Sequence, residues 1–183
     1  MNELLDNDLV HLIVLIIVMI IMILSFKLKD CKFLNKVIPF YKYDFLTQLE
    51  LRQDFDKKVM ALIEQEKPFF FSLIDINDLH SINKTQGYRQ GDQVIKETAN
   101  EIRTLLKKAP NLNIYRIGGD EFIIISKSNV DALLDNLKTA SYCTAFFNGD
   151  KNYNQLFDEV DQGLMLIKKA KIKRGEFKER RQH

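Results

Sequence analysis

The stretch NIYRIGGDEFIIIS, residues 113–126, constrains the fold of this chain more than any other. Two runs of β-forming residues flank Gly118-Gly119. A glycine pair in that setting is read as a two-residue hairpin turn, where φ > 0 is needed and glycine supplies it at little steric cost. Asp120 and Glu121 follow the turn directly, where the second strand re-enters a core. Carboxylates in that position need a cationic partner nearby.

The neighbouring segments say what the hairpin joins. PFFFSLIDIN, residues 68–77, is a continuous apolar run with polar flanks, as expected of a central strand buried on both faces. Leu49, Phe55, Val59 and Leu62 recur at helical spacing ahead of it. After it, Gly87 and Gly91 are expected to bracket a turn. Val94, Ile95, Ile102, Leu105 and Leu106 then mark one face of a long helix. Beyond the hairpin, NVDALLDNLKTA reads as a helix, SYCTAFF as a strand, and NQLFDEVDQGLMLIKKAKIK as a last helix. This alternation predicts an α/β fold with a mostly antiparallel central sheet flanked by helices.

If the strand ending at Asp75 and the hairpin are neighbours, Asp75 and Asp120 meet at one end of the sheet. Two converging carboxylates repel unless a divalent cation lies between them. Mg²⁺ suits them, since it takes one or two carboxylates and completes its octahedron with water and substrate phosphates. Paired acids with two metals are the usual apparatus for in-line nucleotidyl transfer. The competing reading makes these acids helix caps or partners of Arg116, and each acid taken singly favours it. Taken with the hairpin, they favour the metal. A helix-loop-helix calcium loop is excluded, because Leu79 falls where a ligand is needed and no glycine follows.

Composition adds a membrane segment. Leu9 to Phe26, LVHLIVLIIVMIIMILSF, contains no formally charged residue. Eighteen residues of helix span ~27 Å, close to the thickness of a bilayer core. The preceding MNELLDND is acidic and the following KLKDCKFLNK basic, which argues against a cleaved signal peptide and places the N-terminus outside. The chain is therefore expected to hold an extracytoplasmic N-terminus (1–8), one transmembrane helix (9–26) and a juxtamembrane linker (27–43). A catalytic domain (44–175) and a basic tail (176–183) follow. His11 reads as an interfacial or helix-contact residue. The net charge of +2 creates no strong field, so no nucleic-acid partner is expected. Cys31 and Cys143 match no metal-ligand spacing and read as reduced thiols.

At this point a family resemblance appears. GGDEF, residues 118–122, is the signature of the GGDEF domain, the unit of diguanylate cyclases that condenses two GTP into cyclic di-GMP. DFLTQLELR (44–52) resembles the opening motif of that family, and DINDLHSINKTQGYRQGD (75–92) its metal-and-guanine segment. The resemblance spans roughly residues 44–175. It implies a palm-like nucleotide cyclase/polymerase core of ferredoxin-like type, with Mg²⁺ as cofactor and Mn²⁺ as an alternative ion. It also implies GTP as substrate, a homodimer for catalysis, and a bacterial cytoplasmic membrane as location. Asp75 corresponds to a metal-binding acid, Ile76 to a residue lending its backbone carbonyl, and Asp120 to the second metal ligand, placed to help deprotonate the attacking hydroxyl. Glu121 is its companion acid. Asn83 and Asp92 correspond to the guanine contacts, and Gly118-Gly119 lets the backbone approach the nucleotide. The Asp92 pairing also makes chemical sense, because guanine shows two adjacent donors to a carboxylate where adenine presents an acceptor.

The sequence departs from the family pattern in places. Gln48 stands where glycine is usual and Leu51 where asparagine is. His80 replaces a phosphate-contacting lysine, and Lys84 and Tyr88 replace an Asp and a His. In the last helix Lys168 is the better match to a phosphate-binding lysine, with Lys171 fitting if the helix slips. The stretch KKAPNLNIYRI lacks the Arg-x-x-Asp pair of an inhibitory product site, so feedback through such a site is expected to be absent. The leading expectation is an active, membrane-anchored cyclase. The alternative is a weak or inactive domain that binds GTP or a partner. A third reading, another cyclic dinucleotide as product, is opposed by Asp92.

Overall fold

The structure, a computed structural model, describes residues 13–27 and 42–175. The proposed N-terminal segment 1–8 with the start of the apolar span and His11, most of the linker with Cys31, and the tail 176–183 lie outside the described residues. The chain divides into two compact units, Met1–Tyr41 and Lys42–His183. In the first, residues 13–27 form a helix, α1, whose apolar side chains are exposed. Among the described residues no helix is long and apolar enough to cross a membrane.

The second unit contains β1 (Glu50–Leu51), α2 (Arg52–Glu64), β2 (Phe69–Ile76), α3 (Leu79–Gln86), α4 (Tyr88–Leu106), β3 (Leu112–Arg116), β4 (Glu121–Ser126), α5 (Asp131–Leu134), β5 (Ala140–Phe147) and α6 (Tyr153–Lys173). The strands form one sheet in the order β1-β3-β4-β2-β5. Every pairing is antiparallel except β1 with β3, which is parallel. The apolar β2 lies between β4 and β5, and its strand period of two divides its side chains between two cores. Phe69, Phe71 and Leu73 join Phe55 and Val59 of α2 and Leu156, Val160 and Leu164 of α6 on one face. Ile74 and Ile76 join Ile95, Ala99, Ile102 and Leu106 of α4, with Val130, Leu134 and Leu137, on the other. Each of these larger side chains (Ala99 excepted) taken from water contributes roughly 1.5–3 kcal/mol.

Several expected elements are corrected. Leu51 is in a short strand, so the helix predicted from Leu49 onward begins only at Arg52. Gly91 is inside α4 rather than at a turn; the turn is made by Gly87 alone, at φ 85° and ψ 161°, a region that side chains exclude. The helix expected over 129–140 is reduced to α5, because the chain must turn by Ala140 to enter β5. The Gly118-Gly119 turn is also different in kind. Neither glycine adopts positive φ. The loop closes through Ile117 N–H donating to Glu121 O (3.0 Å), which leaves Gly118, Gly119 and Asp120 inside it.

Candidate active site

Strand register decides where the acids sit. In the β2–β4 ladder Asp75 lies directly opposite Glu121, and Ile76 N–H donates to Asp120 O at 3.0 Å. The loop thus delivers Asp120 and Glu121 beside the end of β2. Burial first, then the negative charges of Asp75 and Asp120, push the Glu121 carboxyl above its ordinary pKa, with Arg52 opposing them. This is an electrostatically crowded acidic end that favours an added cation. Arg116 does not supply it. That guanidinium pairs with Asp44 (2.8 Å) and donates to Gly119 O (2.7 Å), so it braces the loop from outside the acidic cluster. Asp44 also accepts from Thr47 N–H (2.8 Å) and the Thr47 hydroxyl (2.6 Å).

The cation that reaches the acids comes from α6. Leu156, Val160 and Leu164 are the buried residues of that helix, one turn apart, and Lys168 is the next member of the row. Its ammonium forms an ion pair with Asp75 Oδ1. Lys171 lies one turn further and donates to Ala140 O at 3.4 Å. The helix start is set by a capping box: Gln155 N–H donates to Asn152 Oδ1 (3.0 Å), and Asn152 N–H to Gln155 Oε1 (2.9 Å).

On the nucleobase side, α3 and α4 meet at the Gly87 elbow, where Gly87 N–H donates to Asn83 O at 3.0 Å. Asn83 lies one turn before the elbow and Asp92 shortly after it. His80 is exposed on α3 and Asp92 is exposed on α4. The structure thus gathers Asp75, Ile76, Asp120, Glu121 and Lys168 at one sheet end, and Asn83 with Asp92 at the elbow.

Sequence reasoning missed the Asp44–Arg116 brace, which a charge flanking the hairpin signalled. An open depression of about 360 Å³ borders Gly118 and Gly119 and is lined by Arg52, Gln53 and Arg116 among others. A comparable one of about 390 Å³ lies between α5, β5 and α6 and contains none of the three acids.

Among the described residues no group of three or more His, Cys, Asp or Glu side chains could hold a metal ion. The donor set nevertheless suits a hard divalent ion, which needs only one or two protein carboxylates when phosphates complete its shell. The ammonium drawn to Asp75 and the raised Glu121 carboxyl both mark that end as one that favours positive charge.

A mixed, mostly antiparallel five-stranded sheet flanked by helices, with acids gathered at one end of β2 and β4, defines a GGDEF-like domain. The chain belongs to that family: residues 41–140 match the family described as diguanylate cyclase, GGDEF domain. It is 27% identical over 146 residues to an uncharacterized membrane protein of Staphylococcus haemolyticus, covering 75% of this chain and 40% of that one. A Staphylococcus aureus uncharacterized membrane protein is 26% identical over 147 residues with the same coverage. The matched region thus spans 40% of those relatives' length. Among solved structures, the GGDEF domain of DgcB from Caulobacter crescentus, in complex with c-di-GMP, superposes with a TM-score of 0.60 at 22% identity, covering 70% of this chain and 91% of that one. Diguanylate cyclase SiaD from Pseudomonas aeruginosa, in complex with its activator SiaC, gives 0.65 at 18% identity, covering 92% and 74%. At these identities the structures share the fold.

Proposed function

We propose that this chain is a diguanylate cyclase that condenses two GTP into cyclic di-GMP and pyrophosphate. The observation that carries the proposal is the register that sets Asp75 opposite Glu121 with Asp120 alongside. In this reading Asp75, the Ile76 carbonyl and Asp120 hold Mg²⁺, or Mn²⁺, which supplies charge neutralisation at the phosphates. Asn83 and Asp92 hold guanine by its N1–H and 2-amino donors, and the exposed Asp92 carboxylate disfavours adenine. Asp120, with Glu121 beside it, accepts the proton of the attacking 3′-hydroxyl. Burial, then the charges of Asp75 and Asp120, raise the Glu121 carboxyl above its ordinary value, which favours a proton or a cation beside it. Lys168 releases Asp75 and turns to the triphosphate, which presents more negative charge than one carboxylate. His80 stands exposed on α3, at the position of the family's phosphate-contacting lysine.

One domain supplies half of a site for a symmetric product, so two GTP-loaded copies must meet. The apolar run 9–26, part of which is α1, anchors the chain in the bacterial cytoplasmic membrane and raises the encounter rate by confining copies to a plane. The exposed apolar side chains of α1 support this reading.

The test is the purified full chain in detergent with Mg²⁺ and labelled GTP or ATP, its products separated by chromatography. Cyclic di-GMP from GTP alone is the expected outcome. GTP held without turnover makes the chain a binding module, and an adenine-containing product overturns the assignment of Asp92. Asp120→Ala is expected to abolish turnover with the circular-dichroism spectrum unchanged.

A further inference from the structure

Gly91 is buried in the first turn of α4, and its N–H donates to Gly87 O at 3.3 Å. A Cβ placed on it would lie 1.8 Å from Asn83 Oδ1, 2.8 Å from Asn83 Cγ and 3.4 Å from Asn83 Nδ2. All three nearest atoms therefore belong to one side chain. That side chain carries its own anomaly, because Asn83 Oδ1 is buried and accepts no hydrogen bond from the described residues. A buried acceptor with no donor is costly, and the cost is recovered when a ligand brings the donor.

We infer that Gly91 is a positioning residue for guanine recognition: its missing side chain leaves the slot that holds the Asn83 carboxamide, oxygen unpartnered, beside Asp92. The inference rests on the proposed roles of Asn83 and Asp92. A methyl group at position 91 occupies the space of the Asn83 oxygen. Asn83 must then rotate out of the slot, and guanine loses one of its two polar contacts while the triphosphate keeps all of its own. Gly87 acts by a different device, a backbone conformation that side chains exclude.

Four forms of the full chain test this: wild type, Gly91→Ala, Asn83→Ala, and the double variant. Each is measured for affinity toward non-hydrolysable GTP and ATP analogues with Mg²⁺, and for its thermal midpoint. Gly91→Ala and Asn83→Ala are each expected to weaken GTP binding about tenfold, the loss of one good hydrogen bond, with ATP affinity unmoved. The double variant is expected to bind GTP no worse than either. Gly91→Ala alone should unfold at a lower temperature. The double variant should unfold at or above the midpoint of Asn83→Ala, because the added methyl then has no neighbour closer than 3.4 Å and alanine favours helix over glycine.

Wild-type selectivity in Gly91→Ala, or additive losses in the double variant, overturns the inference. So does a double variant that unfolds below Asn83→Ala, or that fails to fold. If wild type itself shows no preference for GTP, the proposed function falls and takes the inference with it. If wild type prefers GTP and Gly91→Ala keeps that preference, only the inference falls.

Discussion

Gln48 adopts φ 57°, in the left-handed region, although it carries a full side chain. Its place in the opening motif, where the family has glycine, thus has a conformational reason. The left-handed region costs a non-glycine residue roughly 1–2 kcal/mol, part of which glycine returns as backbone entropy. Gln48→Gly is expected to raise stability by about 0.5–1 kcal/mol in urea unfolding, against the usual sign of a glycine substitution. Asp44 gives a second prediction at this scale. Burial would raise its carboxyl pKa, but hydrogen bonds from Thr47 and then the Arg116 guanidinium outweigh burial and hold it below the ordinary aspartate value. A depressed folded-state pKa adds stability that is present above the unfolded value and lost as pH falls through the folded one. Asp44→Asn should therefore be less stable than wild type by about 1–3 kcal/mol at neutral pH. The two denaturation midpoints should converge as pH drops below the aspartate range; a constant gap would exclude ionisation as the source.

Among the elements, α6 packs tightly on β5 at Gly163, where a Cβ would stand 2.4 Å from Cys143 Sγ. Gly163→Ala is expected to cost about 1–3 kcal/mol by overpacking. Cys143→Ala in the same chain should return most of that loss, and equal destabilisation with and without the thiol would place the clash elsewhere. This contact matters because α6 also carries Lys168 to the sheet end. The Asn152–Gln155 capping box and the Leu156, Val160, Leu164 row together select Lys168 over Lys171 as the lysine at Asp75. Both signals were present in the sequence, as an Asn-x-x-Gln spacing and as apolar residues four apart. What could not be read was which face of α6 lies over the acids. That depends on side chains of β2 and α2, distant in sequence, that pack beneath it.

For the whole molecule, anchoring and catalysis are separable in the proposed reading. Removing residues 1–27 should move the chain from membranes to the supernatant and lower specific activity at dilute protein, with recovery as concentration rises. A truncated chain as active as the full one at all concentrations would deny the anchor any part in pairing. Added cyclic di-GMP is expected to leave the purified enzyme uninhibited through any site beside the hairpin, since no Arg-x-x-Asp precedes it. Noncompetitive inhibition by the product would refute this.

Strands β2 to β5, the interior place of β2 and the acids around the hairpin were legible from local composition, because alternation and continuous apolar runs are properties of neighbouring residues, whereas the short β1 was read as helix. Tertiary structure alone decided the rest. The loop uses glycines without positive φ, since its geometry is set by the Ile117–Glu121 closure and the Arg116 brace rather than by a tight hairpin turn. Gly91 is small because Asn83, eight positions earlier, folds back against it across the Gly87 elbow. Local sequence specifies what each segment can become. Which atoms must leave room for one another is settled only when distant segments pack to van der Waals contact, where a single methyl group has nowhere to go.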